Sequence, residues 1–146
     1  GAQVNLRPAR PEDAARIAEI SRVALGYDST AEDTRRRLIA ALENPEHLLV
    51  VAQDGEGEAI GFIHACDYPT LYHDPLKYVM ALAVDPSRQG QGVGRALLTA
   101  CENWARATGA SGIRLSSGSD RLGAHAFYQH LGYRVRKEQK SLWKTF

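Results

Sequence analysis

Apolar residues recur along this chain in two alternating rhythms, one helical and one strand-like. Ala14, Ile17, Ile20 and Ala24 stand at helical steps behind Arg10-Pro11-Glu12-Asp13. Proline suits a first helical turn, and the carboxylates complement the positive end of the helix dipole. A helix to about Leu25 is therefore predicted, preceded by a short strand from Val4 to Arg7. Leu38 and Leu42, four apart, predict a second helix to Glu43 that Pro45 stops, and Ser29-x-x-Glu32 has the form of a capping box at its start.

His47 to Gln53 (HLLVVAQ) and Ala59 to Cys66 (AIGFIHAC) are rich in strand formers and flank the turn Asp54-Gly55-Glu56-Gly57-Glu58, which predicts a hairpin. Asp67 to Lys77 holds two prolines and reads as a loop. Tyr78 to Val84 is apolar at every position after the tyrosine, the pattern of a central strand buried on both faces. Val93, Ala96, Leu97, Ala100, Cys101, Trp104 and Ala107 mark the clearest helix, ended by Gly109. Ile113 and Leu115 alternate in a strand that ends at Ser116-Ser117-Gly118. Ala124, Phe127, Tyr128 and Leu131 then mark a short helix closed by Gly132. Tyr133 to Glu138 and Ser141 to Phe146 predict a closing pair of strands. The order implies one α/β domain over residues 4–146 with a sheet of six to seven strands of mixed direction, flanked by about four helices.

Composition narrows the class. At 146 residues, with 44% hydrophobic and 24% charged positions, the chain is neither disordered, collagen-like nor a coiled coil. No run approaches 18 apolar residues, the first 20 are polar and charged, and no signal peptide is visible, so a cytoplasmic protein that does not engage a membrane is expected. Two cysteines, Cys66 and Cys101, are too few for a disulfide framework. A net charge of +1 gives no case for nucleic acid, and Arg35-Arg36-Arg37 fits a solvated helix face.

The chemistry concentrates in Asp85 to Gly94 (DPSRQGQGVG), between the apolar strand and the strongest helix. Glycines at alternate positions strip the turn of side chains and let successive N–H groups face one concavity, to which the helix start adds its own free amides and dipole. Such a turn holds a phosphate or pyrophosphate, or is a glycine-rich turn with no ligand. A Walker-type loop is excluded because Gly94 is followed by Arg95 and Ala96 rather than Lys and Ser or Thr. The dinucleotide fingerprint fails at Arg95, where it needs glycine, and the loop lies too late in the chain for that fold.

Gln89-Gly90-Gln91-Gly92-Val93-Gly94 does satisfy Q/R-x-x-G-x-G/A, the coenzyme A pyrophosphate loop of the GNAT N-acetyltransferases. The chain resembles that superfamily over nearly its whole length. Leu82 to Leu98 (LAVDPSRQGQGVGRALL) is similar to its strand–loop–helix motif, and Arg121 to Tyr133 (RLGAHAFYQHLGY) is similar to its A-x-x-F-Y-x-x-x-G-F/Y motif. The R-x-x-A-H-x-F-Y form resembles a branch that acetylates small-molecule amines. The resemblance implies splayed central strands, with the pantetheine arm of acetyl-CoA against the backbone of Leu82, Ala83 and Val84. It places the pyrophosphate on the amides of Gln89, Gly90, Gln91, Gly92, Val93 and Gly94. No metal is implied, and the acceptor is a small-molecule or peptide amine.

The resemblance puts Tyr128 near the thioester sulfur, where a phenol protonates the leaving thiolate; on its residues alone Tyr128 equally reads as helix packing. A main-chain N–H near Leu82 would stabilise the oxyanion. A thioester is already activated, so direct transfer is expected in preference to an acyl-enzyme on Cys66 or Cys101. Two departures stand out. Tyr78 to Val84 carries no glutamate of the kind many relatives use on the amine, and Arg121 replaces an asparagine. Arg121 either contacts coenzyme A phosphate or caps its helix with Asp120. The base is then His64, a residue of the next loop (Asp67, His73 or Asp74), or water. A module that holds acyl-CoA without turnover is the alternative, favoured by the missing glutamate. Leu142, Trp143 and Phe146 in a terminal strand offer an edge for a homodimer.

Overall fold

Among the described residues five strands line up in chain order as one sheet: β1 (Asn5–Pro8), β2 (His47–Gln53), β3 (Ala59–Tyr68), β4 (Leu76–Val84) and β5 (Gly112–Leu115). β1 to β4 pair antiparallel, and β5 joins β4 in parallel. The computed structural model describes residues 4–146, which fall into two compact units, one reaching Leu115 and one from Ser116 to Phe146.

In the first unit the predicted opening helix is a continuous helical run in three parts. A 3₁₀ turn (Pro11–Asp13) leads into α1 (Ala14–Ile20) and a π-helical turn (Ser21–Leu25), closed by Gly26 at φ +80°. α2 (Ala31–Leu42) is capped one residue later than Ser29 suggests. Thr30 Oγ1 accepts from Asp33 N at 3.0 Å, while Ser29 Oγ accepts from Thr34 and Arg37. α3 (Val93–Ala107) starts and stops as the pattern predicts, with Gly109 at φ +83° behind it.

Alternation along β3 sends side chains to two faces. Phe62 points to a core with Ala14, Ile17, Ile20, Leu38, Val51 and Ala83, beneath α1 and α2. Gly61 points the other way. A Cβ there would sit 3.1 Å from Val93 Cγ1 and 3.3 Å from Leu97 Cδ1, so the missing side chain lets α3 lie directly on the strand. Val93, Leu97, Leu98, Cys101 and Ala105 are buried beneath that helix.

The second unit contains α4 (Leu122–His130), ended by Gly132 at φ +93° with Tyr133 N bonded to Tyr128 O at 3.0 Å. The closing strands expected from Tyr133 to Glu138 and from Ser141 to Phe146 are absent, so five strands replace the six to seven predicted. Strand propensity needs a ladder partner and a surface to cover. Here Val135, Leu142, Trp143 and Phe146 are all exposed. Among the described residues no helix is long and apolar enough to cross a membrane.

Candidate active site

β4 is the strand on which the site is built. Its pairing with β5 runs only from Leu76–Gly112 to Val79–Leu115, whereas its pairing with β3 continues to Val84. Residues 80–84 therefore keep β3 on one edge and, among the described residues, have no strand on the other. The parting point carries a bulge. Ala65 faces Val79 and His64 faces Ala81, so Met80 is the extra residue, and it is 49% exposed. Asp85 N donates to Ile60 O at 2.8 Å, and ladder bonds in an antiparallel pair recur at every second residue. Ala83 therefore turns its backbone to β3; its carbonyl oxygen lies 3.0 Å from where a Gly61 Cβ would stand. Leu82 and Val84 turn their N–H and C=O to the open edge. Of the three residues expected to meet pantetheine by main chain, these two face the gap, and Ala83 packs into the core instead. The run is apolar yet not buried on both faces as predicted: Leu82 and Val84 are only partly covered.

The glycine turn continues from this edge. Gly90 and Gly92 sit at φ +80° and +82°, conformations that side chains with a Cβ resist. Among the described residues no backbone carbonyl accepts from the amides of Gly90, Gln91 or Gly92. The first bond within α3 is Ala96 N to Gly92 O, which leaves the amides of Val93, Gly94 and Arg95 as the open start of the helix. Six consecutive N–H groups are thus available to an anion, with a positive helix end behind them.

Side chains remote in sequence hold this turn. Asp85 Oδ1 accepts from Ser87 N and Oγ, and Asp85 Oδ2 accepts from Arg16 at 2.6 Å. Arg16 also donates to Ala59 O at 2.8 Å, and its guanidinium holds the Asp85 carboxyl below the usual range. Arg88 donates to Asp54 Oδ2 at 2.9 Å, while Asp54 Oδ1 takes the amides of Glu56 and Glu58. Sequence spacing does not reveal these anchors, because their partners lie 34 and 69 residues apart.

Around the bulge, the face of the sheet shared with α1 and α2 is only half covered. By register it carries His47, His64, Cys66, Tyr68, Tyr78 and Arg114. His64 Nε2 lies 2.8 Å from His47 Nδ1, a partner the sequence did not suggest. Burial, with His47 beside it, pulls the His64 pKa down to about 4, so the ring is neutral near pH 7. Asp67 faces the opposite side and is tied to Lys77 at 2.5 Å, whose ammonium lies 4.0 Å from the Trp104 ring centroid. His73 and Asp74 are exposed, His73 edge-on to Tyr72. Burial pushes the Cys101 thiol up to about 11 and raises that of Cys66, so neither is a ready thiolate.

The second unit carries Tyr128 and Arg121. Burial raises the Tyr128 phenol above its ordinary range, with Arg121 pulling the other way, and its ring meets Phe127 and Tyr133 edge-on. His125 Nε2 lies 2.8 Å from Gly118 O, which fixes the turn before α4.

The acetyltransferase (GNAT) family matches residues 14–133. Aminoglycoside N(6')-acetyltransferase type 1 of Stenotrophomonas maltophilia is 32% identical over 136 residues, covering 88% of this chain and 84% of the relative. A solved structure described as a transcriptional regulator from Bacillus halodurans superposes with a TM-score of 0.89 at 20% identity, over 97% of this chain and 100% of that one. The acetyltransferase AAC(6')-Iy, solved with the bisubstrate analogue CoA-S-monomethyl-acetylneamine, superposes at 0.84 with 16% identity, over 99% of this chain and 100% of that one. The two structures speak to fold alone. The match across most of the chain and the relative at 32% identity identify it as a member of the GNAT acetyltransferase family.

Proposed function

We propose that residues 4–146 form one transferase domain that moves acetyl from acetyl-CoA directly to an amine nitrogen, with no acyl-enzyme. The observation that carries this reading is the unpartnered half of β4 running into the turn of free amides. Leu82 and Val84 offer strand-type hydrogen bonds to the amides of pantetheine, and the free amides from Gly90 to Arg95 receive the pyrophosphate, the Gln89 amide expected among them being turned instead to Pro86 O at 3.5 Å. The arm then runs back along β4 and brings the thioester to the bulge at Met80.

The acceptor attacks as a neutral amine, because its lone pair forms the new C–N bond. Negative charge builds on the carbonyl oxygen, where the Leu82 N–H is the nearest donor on the open edge. His64, unprotonated at neutral pH, takes the proton that the nitrogen sheds, and His47 relays it outward. The C–S bond breaks, and coenzyme A leaves as a thiolate, whose protonation the motif from Arg121 to Tyr133 assigns by resemblance to Tyr128. A phenol held above its ordinary pKa stays protonated throughout the working range, as a general acid must. Two cysteines with raised pKa values support transfer without a covalent intermediate.

The aminoglycoside relatives make small-molecule amines the first acceptors to examine. The test is release of free thiol from acetyl-CoA with and without a panel of primary amines. Amine-dependent release with a matching acetylamide in the mass spectrum supports transfer. Tight coenzyme A binding with no release for any amine would leave a module that holds acyl-CoA.

A further inference from the structure

Eighteen lysines and arginines are distributed over the chain, and all but five lie on its exposed surface. Of those five, Arg7 pairs with Asp13, Arg16 with Asp85, Lys77 with Asp67 and Arg88 with Asp54. The fifth is Arg114 on β5. Among the described residues it is the one partly buried cation without a carboxylate partner. Its guanidinium lies over the rings of Tyr68 (4.8 Å) and Tyr78 (5.4 Å) and donates one hydrogen bond to Tyr68 Oη at 2.6 Å. The two rings themselves are 5.7 Å apart. Aromatic faces hold a guanidinium in a fixed orientation without neutralising its charge.

The place of this group matters. Arg114 pairs with Tyr78, two residues before Met80 on β4, so it stands about 7 Å along the strand from the parting point. Leu115 is its last ladder neighbour before the gap. The face it shares with His47, His64, Cys66, Tyr68 and Tyr78 is the half-covered one, and no strand position on that face from β2 to β5 holds an aspartate or glutamate. A polycationic acceptor would meet a fixed positive charge on a face whose strands offer it no carboxylate, the charge of Glu46 reaching Cys66 only from the residue before β2. An acceptor whose amine lies a few bonds from an oxyanion would supply the partner that the chain withholds.

We infer that Arg114, held over the rings of Tyr68 and Tyr78, is a specificity-determining group that binds an oxyanion of the acceptor, a carboxylate or a phosphonate, and so aims its amine at the gap beside Met80. The planar fork of a guanidinium suits two-point contact with either anion. This inference rests on the amine-transfer reading above and names the acceptor class for that same site.

The experiment uses the full chain, acetyl-CoA and linear primary amines of matched length that end in carboxylate, phosphonate, neutral amide or a second ammonium. The expected result is kcat/KM at least tenfold higher for one or both oxyanion acceptors than for the amide, with the diamine lowest. The ratio of carboxylate to phosphonate shows which anion the fork prefers. In Arg114→Gln the oxyanion advantage should vanish, through KM more than kcat, while the amide and the KM for acetyl-CoA stay within about twofold. The ranking in the unmodified chain tests the idea even if that variant folds poorly. If diamines or amides are acetylated as well as the oxyanion acceptors, the inference is overturned while transfer stands. If no amine supports thiol release, the transfer reading fails and takes this one with it.

Discussion

Gly61 is where one methyl group should disturb both the fold and the coenzyme site. A Cβ on it would lie 3.0 Å from Ala83 O, 3.1 Å from Val93 Cγ1 and 3.3 Å from Leu97 Cδ1. Comfortable carbon contacts need about 3.5–4.0 Å, so the neighbours must retreat by several tenths of an ångström. The nearest is a backbone oxygen of the β3–β4 ladder and cannot swing aside, and the other two belong to the first turns of α3. Overpacking of this kind costs about 1–3 kcal/mol. The stiffer unfolded chain offsets about 0.4–1 kcal/mol of that. Gly61→Ala should therefore lose about 1–2 kcal/mol in urea unfolding at an unchanged slope. The same retreat moves the amides of Val93 and Gly94 away from the turn, so coenzyme A affinity by calorimetry should fall severalfold. Gly112→Ala is the control, because its Cβ would meet only the mobile Leu76 Cδ2 at 3.4 Å, and it should stay within about 0.5 kcal/mol of the parent. A Gly61→Ala protein as stable as the parent, with unaltered affinity, would refute the claim that this glycine sets the height of α3 over the sheet.

Three further outcomes are expected. Gly92→Asp places a carboxylate in the turn with open space around its Cβ, so the fold should survive with a loss of about 1–2 kcal/mol for φ +82° while coenzyme A binding disappears from calorimetry; retained affinity would remove the pyrophosphate from this loop. His64 has a pKa of about 4 folded against 6.5 in the free side chain, so its contribution is intact above about pH 6.5 and lost as pH falls toward 4, by at most about 3 kcal/mol. Chemical denaturation at stepped pH should show that limb in the parent and a flatter one in His64→Gln; parallel curves would contradict the buried neutral ring. Tyr128→Phe should keep coenzyme A affinity and lower turnover about 100-fold or more, less so with an acetyl donor of more acidic thiol. Wild-type turnover would make Tyr128 a packing residue.

The parts of this fold legible in the sequence are those whose signal is local. The apolar stripe from Val93 to Ala107 needs only one face to cover, and Gly26, Gly109 and Gly132 all adopt the positive φ that ends a helix. The hairpin around Asp54 follows from two strand-forming runs and a polar turn. What the sequence concealed depends on pairing. Tyr133 to Phe146 has strand-forming residues but no ladder partner, and such residues do not make a strand by themselves. The apolar run on β4 looks like interior because it is apolar, yet half of it borders a gap. Of the candidate site, the glycine turn was readable because its residues are contiguous. His47, Arg16, Asp54 and Arg114 were not, because only the register of the sheet and the bulge at Met80 bring them to their partners.

Asp54 has a consequence for how the occupied loop can be observed. One carboxylate oxygen holds the amides of Glu56 and Glu58, and the other holds Arg88 at the base of the glycine turn. The two hairpin amides can exchange their protons with solvent only when that oxygen lets them go. A ligand that steadies the glycine turn also steadies Arg88, and through it the carboxylate. Deuterium uptake at Glu56 and Glu58 is then a gauge of whether the glycine turn is filled, read from the amides of the β2–β3 hairpin.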